Sequence, residues 1–143
     1  MSLDELYKEV ILDHYKSPRN KRPLSDSTVS LHKNNPLCGD EITIHARVED
    51  GKVTEVAFEG QGCSISQASV SMLTESVAGK TVEDASALAE EFRSMMERGK
   101  EPDEDQFGDL MALKGVVKYP VRIKCAVLGW DALQEALGQN AGQ

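Results

Sequence analysis

Apolar positions first recur with a helical period. Leu3, Leu6, Tyr7, Val10 and Ile11 fall on one stripe that His14 continues. Ser2-x-x-Glu5 reads as a capping box that opens this helix, and Ser17-Pro18 closes it. Residues 17–27 carry no core-forming period and read as a loop, followed by a short strand over Thr28–Lys33. Asn34 to Asp40 is rich in turn formers and reads as a second loop. The period then changes to two: Ile42, Ile44, Ala46 and Val48 alternate with polar residues, the pattern of a half-buried strand. Asp50-Gly51 is a hairpin signal, and the return strand runs from Lys52 to Glu59 on the anchors Val53, Val56 and Phe58.

Helical periods take over after Cys63. Ser64-x-x-Gln67 predicts a second capping box, Ile65, Ala68, Val70, Met72, Leu73 and Val77 supply a wide apolar face, and Gly79 ends the element. Thr81 to Arg98 is another amphipathic helix, with Val82, Ala85, Leu88, Ala89, Phe92 and Met95 inward. The acidic run from Gly99 to Asp105 reads as a solvated loop. Leu110–Leu113 is one apolar turn of helix. Pro120 favours the first turn of a last helix, buried through Ile123, Ala126, Val127, Trp130, Leu133 and Leu137, ending at Gly138 with a frayed tail to Gln143. Without a repeat or a linker, residues 1–143 form one domain in which 99–109 is an acidic insertion loop. Strands followed by helices make the fold class α+β, a small antiparallel sheet packed against helices.

Composition narrows the function. The net charge of −8 disfavours nucleic acid and anionic membrane as partners. No apolar run is long enough to span a bilayer, and the acidic, amphipathic start is no signal peptide, so the expected location is the reducing cytoplasm. Three cysteines do not make a disulfide framework, which leaves free thiols or metal ligands.

Free cysteines often pack as small hydrophobes, but the neighbours of these three favour ligation. Cys38-Gly39-Asp40 lies among Asn, Pro and Gly, where a core residue is out of place, and the glycine lets thiolate and carboxylate turn toward one ion. Gly60-Gln61-Gly62-Cys63 allows close backbone approach, and a helix start lowers the thiol pKa. Cys125, in the first turns of the last helix, follows Arg122 and Lys124, which also favour thiolate. Three thiolates and a carboxylate (Cys38, Asp40, Cys63 and Cys125) suit tetrahedral zinc or an iron–sulfur cluster, and the two cations would offset the excess negative charge. A closed structural zinc site is a third option, disfavoured because structural knuckles pair two cysteines on one loop.

Cys38-Gly39-Asp40, Gly60-Gln61-Gly62-Cys63-Ser64-Ile65-Ser66 and Pro120-Val121-Arg122-Ile123-Lys124-Cys125 resemble the three ligand segments of the IscU-like iron–sulfur scaffold family. The opening Tyr7-x-x-x-Ile11-Leu12-Asp13-His14-Tyr15-x-x-Pro18-Arg19-Asn20 is similar to that family's start, so the likeness covers nearly the whole chain. Two departures separate it from the housekeeping scaffolds. Lys124 stands where they place a histidine, and Lys118-Tyr119-Pro120-Val121-Arg122 replaces their Leu-Pro-Pro-Val-Lys segment. With the acidic segment 99–109, the pattern resembles the SufU branch of zinc-dependent sulfurtransferases.

That resemblance implies an IscU-like fold, a zinc cofactor and a SufS-like pyridoxal-phosphate (PLP) cysteine desulfurase as partner. The chain would accept persulfide sulfur and relay it to a Suf cluster-assembly complex. The acceptor is expected to be Cys38, a loop ligand that can leave at lower cost than the helix-borne Cys63 and Cys125, with Arg122 assisting at the site. The alternative is a scaffold for a transient [2Fe–2S] cluster on the same four residues. His14 and Trp130 read as packed residues, His32 and His45 as strand surface, and Tyr7 and Tyr15 as core or partner contact.

Overall fold

Alternation along the strands builds the floor of the molecule. In the computed structural model, which describes residues 3–37 and 39–141, the first element is helix α1 (Leu3–Lys16), followed by strands β1 (Val29–Asn35), β2 (Asp40–Glu49) and β3 (Lys52–Gln61). They pair as an antiparallel sheet in the order β1-β2-β3. Ile42, Ile44 and Ala46 of β2 and Val56 and Phe58 of β3 are fully or almost fully buried on one face. At the hairpin, Asp50 and Gly51 both take positive φ, 51° and 76°, the turn whose twist matches the flanking strands. β1 runs two residues further than its apolar pattern predicts, through Asn34 and Asn35. Pro36 is the cause, since a residue before proline is held extended.

The helices cover that apolar face. α2 (Ser64–Val77) and α5 (Pro120–Ala141) pack on the sheet, and α3 (Val82–Arg98) packs on α5. Phe92 of α3 stacks on Trp130 of α5 with centroids 4.8 Å apart, and both are fully buried. Thr81 caps α3, and Gly99 closes it at φ 68°. The acidic segment is not all loop: Asp103 accepts the N–H groups of Asp105 and Gln106 and so nucleates a short helix, α4 (Glu104–Phe107). The single turn expected at Leu110–Leu113 extends to a 3-10 helix over Gly108–Lys118, whose residues Leu110, Met111, Leu113 and Val116 are buried. α5 passes Gly138 and continues to Ala141. The expected Ser2 cap and the last two residues of the tail lie outside the described residues.

His14 is packed, as its place on the α1 stripe suggests. It is buried, with Nδ1 2.9 Å from Ser71 Oγ and Nε2 3.1 Å from Asp109 Oδ2. Ser71 Oγ also accepts the Arg19 N–H at 2.8 Å. One imidazole thus ties α1 to α2 and to the start of the 3-10 helix. Among the described residues, no helix is long and apolar enough to cross a membrane.

Candidate metal centre

Asp40 opens β2 and is buried, an arrangement a carboxylate tolerates only with partners. Its Oδ1 accepts the Cys63 N–H at 2.8 Å, and its Oδ2 lies 4.0 Å from Cys63 Sγ. Two glycines at the end of β3 make this approach possible. A Cβ on Gly60 would lie 2.1 Å from the Glu41 carbonyl oxygen, and one on Gly62 would lie 2.2 Å from Asp40 Oδ1. Gly62 also takes φ 154°, which favours glycine.

Cys63, not Ser64, occupies the cap position of α2. Its Sγ accepts the Ser66 N–H at 3.5 Å, and Ser66 Oγ returns a bond to the Cys63 carbonyl at 3.1 Å. The cap therefore comes one residue earlier than predicted, and it is not a reciprocal box, because the Cys63 N–H goes to Asp40. Asp40 holds the Cys63 backbone and so fixes where the helix begins.

Cys125 lies in the second turn of α5, fully buried, with Sγ 3.9 Å from the Val121 carbonyl oxygen. α5 is locked to α2 by Ser69 Oγ, which donates to the Ala126 carbonyl at 2.6 Å and accepts from Trp130 Nε1 at 3.2 Å. The helices bearing Cys63 and Cys125 are thereby registered one to the other.

Ligand atoms of Asp40, Cys63 and Cys125 all lie within 4.8 Å of one another. Tetrahedral zinc, with sulfur at about 2.3 Å and oxygen at about 2.0 Å, needs ligand atoms roughly 3.5–3.8 Å apart. A small inward movement of side chains would reach that spacing, and the two sulfurs and one carboxylate oxygen are donors zinc accepts. Cys38, the fourth expected ligand, lies outside the described residues. Arg122 is exposed beside the trio. Negative charge on Cys63, then hydrogen bonding to Cys125 and that thiol's charge, hold its guanidinium pKa above the usual value. Lys124 is exposed. His32 and His45 stand on the outer face of the sheet, bonded to Thr43 at 2.9 Å and to Ser30 and Glu59 at 2.7 and 2.9 Å.

Three residues near the centre have no site role that the sequence motifs assign. Ser66 braces the Cys63 cap. Gln67 is buried with Oε1 unpaired among the described residues. Asn35 pairs with Asp40 across the β1–β2 ladder and is also buried; the only sequence signal for it is its place before Pro36. Beside the trio opens a cavity of about 410 Å³ between α1, the 3-10 helix and the start of α5, lined by Tyr7, Ile11, Ile65, Val116, Tyr119 and Arg122 among others. Around its mouth and beside Pro36, Leu37, Tyr119 and Val121 are strongly exposed.

Comparison with known proteins gives a consistent set of relatives. Residues 6–126 match the family model of the NifU-like N terminal domain. The chain is 48% identical to the zinc-dependent sulfurtransferase SufU of Bacillus subtilis (strain 168), over 99% of its own length and 95% of the relative's. It is 42% identical to the iron–sulfur cluster assembly scaffold protein IscU of Streptococcus pyogenes serotype M1, over 97% and 87% of the two lengths. Among solved structures, a putative iron–sulfur cluster assembly scaffold protein for the SUF system from Fervidobacterium islandicum AW-1 superimposes with a TM-score of 0.86 at 34% identity, covering 95% of this chain and 99% of that one. The N-terminal part of a NifU-like protein from Brucella abortus gives 0.89 at 25% identity, covering 99% and 98%.

Proposed function

This chain belongs to the NifU-like N-terminal domain family, and from that membership we propose that it is a zinc-dependent sulfur acceptor serving iron–sulfur cluster assembly. The observation that carries the proposal is the convergence of Asp40, Cys63 and Cys125 in a chain 48% identical to a protein named a zinc-dependent sulfurtransferase. Asp40, Cys63 and Cys125 hold the ion, with Cys38 as the fourth ligand. Zinc, when bound, supplies the positive charge that keeps the thiols ionised near neutral pH.

The donor is a SufS-like PLP-dependent cysteine desulfurase carrying a persulfide. The Cys38 thiolate attacks the outer sulfur of that persulfide. A sulfur–sulfur bond forms on Cys38 as the donor's breaks, and the donor cysteine leaves as a thiolate, so no external oxidant is consumed. Arg122 compensates the negative charge of Cys63 and Cys125 while Cys38 is away from the centre. The exposed Leu37, Tyr119 and Val121 give a partner an apolar rim to bind next to the centre. The relay continues to a Suf cluster-assembly complex in the cytoplasm. The whole chain acts as one domain, with 99–109 an insertion anchored by the His14–Asp109 contact.

A second reading is favoured by relatives named scaffolds, at 42% and 34% identity: the same residues carry a transient [2Fe–2S] cluster and pass it on. Metal analysis of chain purified without oxygen separates the two. The sulfur-acceptor reading expects about one zinc per chain and a colourless protein whose melting temperature falls when a chelator strips the metal. Stoichiometric iron with brown absorption and little zinc would replace it with the scaffold reading.

A further inference from the structure

Asn35 is the last residue of β1, and its antiparallel partner is Asp40. Directly opposed residues project from the same face of a sheet. For Asp40 that is the helix-covered face it shares with Ile42 and Ile44. On β1 the same face carries Lys33, which pairs with Glu135 of α5 at 3.0 Å. The Asn35 side chain therefore lies beside that of Asp40, beneath the helix that carries Cys125, and the residue is only 8% exposed.

Its amide orientation is fixed by its neighbours. Pro36 has no N–H, so the first amide hydrogen of the following turn is that of Leu37, and Asn35 Oδ1 accepts it at 3.2 Å. Only the oxygen can serve there, which leaves Nδ2 as a donor. Nδ2 is buried and finds no acceptor among the described residues. Buried donors are almost always satisfied, so an orphan next to a ligand cluster points to a partner that arrives later. A centre built on a carboxylate and thiolates gathers more negative charge than one divalent ion cancels, and Asp40 Oδ1 already serves the Cys63 N–H.

We propose that Asn35 is a positioning residue of the Asp40–Cys63–Cys125 centre, its Nδ2–H donating to the negative charge that the ligands gather when metal binds, an inference that rests on the metal reading above. Such donors orient ligands and typically change metal affinity 10- to 100-fold.

Two substitutions isolate the donor. Asn35→Asp keeps the side-chain shape and an acceptor for Leu37 N–H but removes the N–H group. Asn35→Ala removes the N–H group without adding charge, and the N–H of exposed Leu37 can turn to water instead. Zinc affinity is measured by competition with a chromophoric chelator, and cobalt(II) replaces zinc for spectroscopy. Both variants should bind zinc at least about ten-fold more weakly than wild type and shift the thiolate-to-cobalt charge-transfer band. Their metal-free melting temperatures should stay close to that of the metal-free parent. Wild-type affinity in both variants would overturn the role, and a loss in Asn35→Asp alone would assign the effect to charge repulsion and overturn it equally. Should a variant not fold, the wild-type chain still decides. Adding zinc should move the Asn35 side-chain amide resonances and slow their hydrogen exchange, and unmoved resonances contradict the proposal. A wild-type chain that takes up no zinc overturns the metal reading itself, and this inference with it.

Discussion

Gly62 shows how much of the centre depends on an atom that is not there. The Cβ that any other residue would carry meets Asp40 Oδ1 at 2.2 Å and Ser66 Oγ at 2.8 Å, so substitution displaces both the carboxylate and the brace of the Cys63 cap. Gly62→Ala should destabilise the metal-free chain by about 1–3 kcal/mol, the combined scale of a forced backbone conformation and overpacking. It should also weaken zinc binding, measured by chelator competition. A variant with parental stability and affinity would mean that Asp40 does not depend on this cradle. Some of this was legible in sequence: Gly60 and Gly62 before Cys63 predict close backbone approach. That Cys63 itself caps α2 was not, because Ser64 and Gln67 offer an equally good local pattern. The choice is made by Asp40, distant in sequence, which holds the Cys63 N–H. Asn35 was hidden for the same reason, since its burial depends on strand pairing that a local pattern does not contain.

At the scale of elements, the alternating strand and the amphipathic helices were readable because each buries one face, and burial imposes a period. The Asp50-Gly51 hairpin was readable because its geometry demands residues that tolerate positive φ. Residues 99–118 were less so. α4 depends on capping by Asp103, and the 3-10 helix has few local hydrogen-bonding signals and is held by burial of Leu110, Leu113 and Val116 and by the His14–Asp109 contact. The α3–α5 contact allows a pH test. Asp131 of α5 lies 3.2 Å from Arg93 Nε, yet burial outweighs that cation and raises its carboxyl above the ordinary value. The folded chain thus holds this proton more tightly than the unfolded chain. The contribution is favourable at low pH and is lost as pH rises from the ordinary carboxylate value through the raised one. Asp131→Asn, which keeps the shape without the charge, should raise the melting temperature at neutral pH, with the gain disappearing below the ordinary carboxylate range. A loss at neutral pH would show that the Arg93 pair outweighs burial, and a pH-independent effect would show that the two cancel.

Across the whole molecule, the sheet and helices bring together residues that lie far apart in the chain. Asp40 comes from a strand start, Cys63 from a helix cap and Cys125 from the second turn of another helix. Ser69 and Trp130 hold the two helices in register. The net charge of −8 lies on a molecule whose centre is rimmed by exposed Leu37, Tyr119 and Val121, a surface suited to a protein partner. The central claim is that sulfur arrives on Cys38 while the other three ligands keep the metal. Its most direct test is mass spectrometry of the zinc-loaded chain after incubation with a SufS-like desulfurase and cysteine. Cleavage after Lys33 and Arg47 places Cys38 on a peptide free of Cys63 and Cys125. One added sulfur atom is expected on that peptide, with zinc retained. Sulfur on the Cys125 peptide instead, undiminished in a Cys38→Ser variant, would contradict it.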